Sequence, residues 1–202
     1  MQREEKSERS RRLVLDAALR LFSHQGFRGT SVREIAETAG VSIGNVYHHF
    51  PDKETIFHTL LEEYWSTMED RRYPFFRELT SGEFPDNIEQ LGFAARDSVR
   101  QFRRHIALIY VDVIEFEGTH IRKFYVEMAQ RLKSVLQEPE LARIQKRLRP
   151  GVSPISALML TIRFFFNYFS IEILFGVPEP FGKDSAAIVA EIGDILRNGM
   201  VS

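Results

Sequence analysis

With 202 residues, 44% of them hydrophobic, the chain can bury one sizeable core or a small and a medium one, which excludes global disorder. A net charge of -1 excludes a chain that binds polyanions over its whole surface, so any nucleic-acid contact must come from a local patch. The lack of cysteine excludes a disulfide framework, a thiolate nucleophile and cysteine-ligated metal sites, and it suits a reducing cytoplasm.

Apolar residues recur mostly at helical spacing, and no Asn-Gly or Asp-Gly turn separates alternating runs, so an all-α fold is expected. The first twelve residues are a charged run without an apolar core, so no secretory leader is expected. A first helix is predicted over residues 10–25. Leu13, Ala17, Leu21 and the neighbouring Ala18 and Phe22 form its apolar face, and Gly26 is its stop. Ser31 is a good N-cap, and Glu34 completes a capping box that opens a short helix ending at Ala39, with Ile35 and Ala36 inward. Gly40 ends that helix, and Ser42 caps another that runs to His49. Pro51 and Asp52 interrupt and restart the chain.

A long helix is predicted over residues 53–73, stopped or kinked by Pro74, and residues 80–86 form a loop. Helices follow over 87–116 and from Gly118 to about residue 147, with a boundary at Arg-Pro-Gly, residues 149–151. Ser153 or Pro154 opens a very apolar helix. A loop with Gly176, Pro178, Pro180 and Gly182 leads to a last helix capped by Asp184 and ending near Met200. The run 155–177 is long enough to span a bilayer. It carries Arg163, Asn167 and Glu172, each costly in hydrocarbon, so it reads as the buried helix of a soluble protein, with no membrane partner.

The two short helices joined by Gly40-Val41 have the spacing of a helix-turn-helix. Val41 and Val46 can pack against Ile35, Ala36 and the first helix, leaving the other side of the second helix for the DNA major groove. From Arg9 to Phe50 there are six arginines against three acids, in a chain whose total is slightly negative. The helix starts at Ser31 and Ser42 add partial positive charge.

The stretch LDAALRLFSHQGFRGTSVREIAETAGVSIGNVYHHFPDKETIF, residues 15–57, closely resembles the signature of the tetracycline-repressor-like (TetR) family. The match includes Gly-Phe, Thr-Ser-Val, Ala-Gly-Val-Ser and Tyr-His-His-Phe followed by Lys-Glu at fixed spacings, over about a quarter of the chain. The resemblance implies a three-helix DNA-binding domain over residues 1–52. A helical ligand-binding and dimerisation domain would occupy 53–202. It implies a homodimer on palindromic double-stranded operator DNA, repression as the default, and DNA contacts by Arg33, Ser42, Ile43, Gly44, Asn45, Tyr47, His48, His49 and Lys53. Lys53 matches a phosphate-contacting lysine. Ile43 departs from the usual polar choice, so it meets a thymine methyl or packs inward. Tyr47 has a core-aromatic alternative.

The second domain is rich in aromatics, and phenylalanine alone numbers 17, more than plain packing needs. An apolar or aromatic effector is therefore expected among Trp65, Met68, Phe93, Phe116, Phe165, Asn167 and Tyr168, with Asn167 and Tyr168 as polar anchors. The last two helices, residues 153–175 and 184–200, are apolar on more than one side, as a dimer face requires.

Other functions fit less well. A helical-bundle enzyme with a metal site would need paired Glu-x-x-His motifs, and only Glu117 to His120 has that form. His48 and His49 are adjacent on a helix and point about 100° apart, which is poor geometry for a metal. Asp112, Glu115 and Glu117 have no base or nucleophile beside them in sequence and read as a solvated face. No cofactor, metal or catalytic residue is expected. An interaction module with a vestigial helix-turn-helix is disfavoured by the intact caps and donors.

Overall fold

The computed structural model describes residues 2–136 and 138–200. Its helices are α1 (Gln2–Gln25), α2 (Val32–Ala39), α3 (Ile43–His49), α4 (Lys53–Met68), α5 (Pro74–Leu79), α6 (Ile88–Glu115), α7 (Thr119–Val135), α8 (Glu138–Gln145), α9 (Pro154–Ile173) and α10 (Ser185–Met200). Among the described residues there is no β-strand, and the expected all-α class holds.

Local chemistry accounts for most boundaries. Glu4 and Glu5 lie in the first turn of α1, where carboxylates suit the helix dipole, and α1 begins well before the predicted residue 10. Its buried residues include Val14, Leu15, Ala17, Ala18, Leu19 and Phe22, so the predicted Ala17, Ala18 and Phe22 face inward, while Leu13 is exposed and the face is shifted toward Val14, Leu15 and Leu19. The helix predicted over 53–73 ends at Met68 instead, and Pro74 opens α5 as its first-turn proline, where no amide donor is needed. The helix predicted beyond Gly118 is two helices, α7 and α8. Ser153 caps α9 and Asp184 accepts from the amides of Ala186 and Ala187, both as the sequence leads one to expect.

The chain forms two compact units. One holds the residues up to Thr67 with Arg104–Lys123, and the other holds Met68–Arg103 with the described residues from Phe124 onward. The division therefore does not fall at residue 52. Most of α4 stays with the first three helices, since Phe57 is fully buried and its ring meets Phe22 at 5.6 Å and Phe27 at 5.6 Å. The chain passes between units inside α6, one residue beyond its kink at Phe102 (φ −104°, ψ 20°).

The second unit is built on buried Phe76, Phe84, Leu91, Phe165 and Phe169. Helices α6, α9 and α10 meet closely at Gly92, where an added Cβ would lie 2.9 Å from both Phe165 and Val189. Only glycine fits that crossing without displacing two buried side chains. Helix α9 is long and apolar enough to cross a membrane by length and composition, and half of its apolar window is buried inside the protein. Its inner residues, Leu158, Thr161, Phe165 and Phe169, belong to the core.

In the first unit, the His105 ring lies nearly parallel to Tyr64 at 5.9 Å. Burial, assisted by nearby Arg12 and opposed by Asp16, pushes the His105 pKa down from 6.5 to about 4. The unfolded chain takes up this proton near 6.5 and the folded chain does not, so stability present above pH 6.5 is lost as pH falls toward 4. The unfolding free energy should drop across that interval by at most about 3 kcal/mol from this group. His105→Leu should remove that part of the slope. Urea titrations at stepped pH check this, and an unchanged slope in the variant refutes it.

Candidate nucleic-acid interface

The helix-turn-helix forms as the sequence predicts. Ser31 Oγ accepts from the Glu34 amide at 3.1 Å, and a Glu34 carboxylate oxygen accepts from the Ser31 amide at 2.7 Å. The Ser31 amide holds the Glu34 carboxyl below its ordinary pKa. Gly40 adopts φ 68°, ψ 32°, a left-handed conformation that ends α2 and lets the Val41 amide bond the Ala36 carbonyl at 3.0 Å. Ile35, Ala36 and Val46 are buried, which fixes the two helices back to back.

That packing decides what α3 presents. Ile43 is 43% exposed and Tyr47 53% exposed, with Gly44 and His48 also on the outer side. The inward-packing alternative for Ile43 and the core alternative for Tyr47 are therefore both wrong: Val46 and Phe50 fill the inner positions. Ser42 caps α3 by accepting from the Asn45 amide at 3.1 Å and keeps its own hydroxyl proton to donate. Asn45 and His49 are half-buried, and both meet the hydroxyl of Ser10 on α1. Arg33 is exposed on α2 and pairs with Glu37 at 2.9 Å.

Lys53, expected to meet a phosphate, has two of its three N–H donors engaged within the chain. Its ammonium donates to the carbonyls of Phe27 at 2.7 Å and Thr30 at 2.6 Å, and lies 4.1 Å from the centre of the Phe27 ring. Desolvation lowers its pKa, against the favourable charges of Glu115 and Glu34. Glu115, read from sequence as part of a solvated face, accepts from the amides of Phe27 at 3.0 Å and Arg28 at 2.6 Å. Asp112, also read as solvated, is fully buried, whereas Glu115 is half-buried. The Asp112 carboxylate contacts the His120 ring at 2.6 Å and accepts from the Ile121 amide at 2.9 Å. Sequence reasoning missed Ser10 and Glu115, because their partners lie 35 and 88 positions away and no periodicity links them.

The residues expected to hold an effector are spread over both units. Trp65 and Phe116 belong to the first and Met68, Phe93, Phe165, Asn167 and Tyr168 to the second. Trp65 is buried, and the Phe116 ring is packed by Phe27, Phe57 and His120 at 4.6, 5.0 and 5.1 Å. Met68 and Phe93 are half-buried, and Arg96 lies over the Phe93 ring. Phe165 and Tyr168 are buried on α9 and both meet Phe169. Asn167 is exposed, a consequence of the turn of the helix between consecutive residues. The Tyr168 hydroxyl is buried and has no hydrogen-bond partner among the described residues. Among the described residues, no group of three His, Asp or Glu side chains could hold a metal ion.

A capped helix-turn-helix with an exposed recognition face defines a protein of the DNA-reading helical class. Residues 14–60 match the sequence model of the bacterial regulatory proteins of the tetR family, so the chain carries a domain of that family. It is 47% identical over 58 residues to the HTH-type transcriptional regulator AcrR of Shigella flexneri, across 29% of this chain and 27% of that protein. It is 24% identical over 198 residues to the uncharacterized HTH-type transcriptional regulator YerO of Bacillus subtilis (strain 168), across 97% of this chain and 66% of that one. The chain thus spans less than two thirds of the length of either relative. A TetR family transcription regulator from Marinobacter aquaeolei VT8 shares the fold over all of both chains, with a TM-score of 0.67 at 16% identity. The relatives are regulators of transcription, not enzymes.

The two Glu115 bonds give a direct test of how the first unit is held. Glu115→Ala leaves the Phe27 and Arg28 amides without their acceptor and should cost about 1–3 kcal/mol. Glu117→Ala, at an exposed neighbour, should cost less than about 0.5 kcal/mol. Chemical denaturation of both variants measures the difference, and equal losses would refute the assignment.

Proposed function

We propose that this protein is a ligand-responsive, DNA-binding repressor that acts in the cytoplasm as a homodimer on palindromic double-stranded operator DNA. The observation that carries this reading is the outer face of α3, where Ile43, Gly44, Tyr47 and His48 stand exposed on a helix fixed from behind by Val46 and Phe50. Ile43 and Tyr47 lie one turn apart on that face and are both available to a partner. A tyrosine hydroxyl reaches phosphate or base edges, and an isoleucine suits a thymine methyl. Ser42, Asn45, His49 and Arg33 flank that face, while Lys53 supports it from within.

The effector we propose is apolar or aromatic and is bound by the second unit, at Phe165 and Tyr168 on α9. Supporting this, the buried Tyr168 hydroxyl lacks a partner that a ligand polar atom would supply. Such a ligand releases DNA only by favouring one arrangement over another, typically by about 1–3 kcal/mol. For the dimer, α9 exposes Leu160 and Phe164 one turn apart, and α10 exposes Ile195 at 63%.

Fluorescence anisotropy with duplex DNA should show binding that weakens steeply with salt. Tyr47→Ala should reduce affinity by about tenfold or more, near 1.4 kcal/mol, without loss of helicity. Absence of any binding by the wild type at low salt overturns the reading.

Assembly is tested at Ile195. Ile195→Lys should convert a dimer into monomers in analytical ultracentrifugation with the fold intact. Ile192, at 4% exposure, is a core residue and unsuited to that test. A wild-type monomer at micromolar concentration, or a variant that still dimerises, refutes this interface.

A further inference from the structure

The C-terminal end of α9 carries negative charge without a counter-ion. A helix ends in carbonyl oxygens that leave it partly negative, and a basic residue in the last turn suits that end. The last turn of α9 holds no basic residue and holds Glu172 instead. Loop amides satisfy the Ser170 and Ile171 carbonyls, but neutral amides leave the Glu172 charge standing. Glu172 is half-buried, and neither it nor Glu179 on the following loop forms an ion pair among the described residues. Lys183, the next basic residue along the chain, is bound to Glu191 at 2.6 Å. Tyr168 stands one turn before Glu172, on the same side of α9. It is 3% exposed, and its hydroxyl has no hydrogen-bond partner among the described residues. Burial first, then the charges of Glu172 and Glu179, raise the Tyr168 pKa, so both carboxylates act on that hydroxyl. The loop packs back on Tyr168 through Phe181, whose ring lies 5.3 Å away and is itself 61% exposed.

Plain stability explains these groups poorly. An acid at the negative end of a helix and a buried hydroxyl without a partner both lower it. A ligand explains them together. The carboxylates need positive charge, the Tyr168 oxygen has lone pairs for an N–H donor, and aromatic faces attract both a cation and an apolar body. A neutral ligand would leave the carboxylates unanswered, and an anion would be repelled. We infer that this end of α9 binds an organic ammonium ion with an aromatic or apolar body, its N–H groups given to Tyr168 Oη and the Glu172 carboxylate and its body set against the Tyr168 ring where Phe181 now lies. Phe181 is the side chain that yields, because it belongs to a loop and is mostly in water, whereas Phe169, the other ring against Tyr168, is fully buried. This ligand is the effector proposed above with its charge specified, so the assignment rests on that reading.

Three probes of similar shape isolate the charge: 2-phenylethylamine, a cation at neutral pH, 2-phenylethanol, which is neutral, and phenylacetate, an anion. Isothermal titration calorimetry on the full chain should show the amine binding about tenfold or more tighter than the alcohol, as a charge-assisted hydrogen bond exceeds a neutral one, and phenylacetate not binding. Glu172→Gln keeps the size of the side chain and should weaken the amine by about fivefold or more while leaving the alcohol unchanged. Tyr168→Phe removes only the hydroxyl and should weaken the amine by a similar factor. Glu179→Gln, at an exposed loop position outside the core, should act in the same direction. Without probe, Glu172→Gln should hold or raise the melting temperature, whereas a glutamate kept for stability would lower it on removal. An amine that binds no better than the alcohol, or equally well to Glu172→Gln and wild type, overturns the assignment. Fluorescence anisotropy with duplex DNA separates this from the effector reading. If the alcohol binds as well as the amine and releases DNA, an effector site at Tyr168 stands and its selectivity for a cation falls. If no probe binds, the effector site at Tyr168 falls as well.

Discussion

The reader depends on a set of charge-assisted hydrogen bonds around the turn between α1 and α2. Five residues there, 26–30, have to reverse the chain without regular structure, so their backbone groups need partners from elsewhere. The Phe27 and Arg28 amides go to the Glu115 carboxylate, and the Phe27 and Thr30 carbonyls go to the Lys53 ammonium. Thr30 Oγ1 bonds the Gly26 carbonyl and the Gln25 side chain bonds the Gly29 carbonyl. Two glycines make the path possible. Gly26 has φ 79°, and an added Cβ at Gly29 would sit 2.4 Å from the Gln25 carbonyl oxygen. Ionised donors and acceptors make stronger bonds than neutral ones, so Lys53 and Glu115 carry most of the turn's definition. Phe27 is held by the same groups and sits against Phe22, Phe57 and Phe116.

Glu115 is the last residue of α6, and the first half of that helix belongs to the other unit. The chain itself therefore links the second unit to the turn that sets α2, by a route of covalent bonds and one carboxylate. Helices resist bending except where their hydrogen-bond ladder is broken, and α6 is broken at Phe102, next to the passage between units.

Much of this was legible in the sequence, and the parts that were not have a common cause. The capping box at Ser31 and Glu34, the left-handed Gly40 and the Ser42 cap are written in residues three to six apart, where local chemistry decides the conformation. The last helices announce themselves in the same way, through Ser153 and Asp184. What could not be read are pairings across long stretches of chain, such as Glu115 to Phe27, Ser10 to Asn45 and Phe116 to Phe57. Sequence alone puts Glu115 on a wet face because no base or nucleophile stands beside it, and nothing local says that a turn 88 residues earlier needs an acceptor. The shifted face of α1 has a milder cause: leucines at 13 and 21 and alanines at 17 and 18 permit two adjacent stripes, and only the packed partner chooses.

The same pairings change how the positive charge of the reader should be counted. Six arginines outnumber three acids between Arg9 and Phe50, but Arg12 is tied to Asp16 and Glu63, and Arg11 lies 3.7 Å from Glu63, an acid outside that segment. Lys53, next along the chain, spends its ammonium on two carbonyls. Arg33 and Glu37 form an exposed pair, worth about 0–1 kcal/mol at most, which a phosphate can displace at small cost. Lys53 is different, because removing its ammonium would strip two carbonyls of their donor in the turn that sets α2. Fewer cations are thus free for phosphate than the sequence count implies. Since phosphate contacts position a protein and base contacts specify its site, a reader with this distribution leans more on the groove-facing side of α3. Asn45 and His49, which flank that side, are held in place from α1.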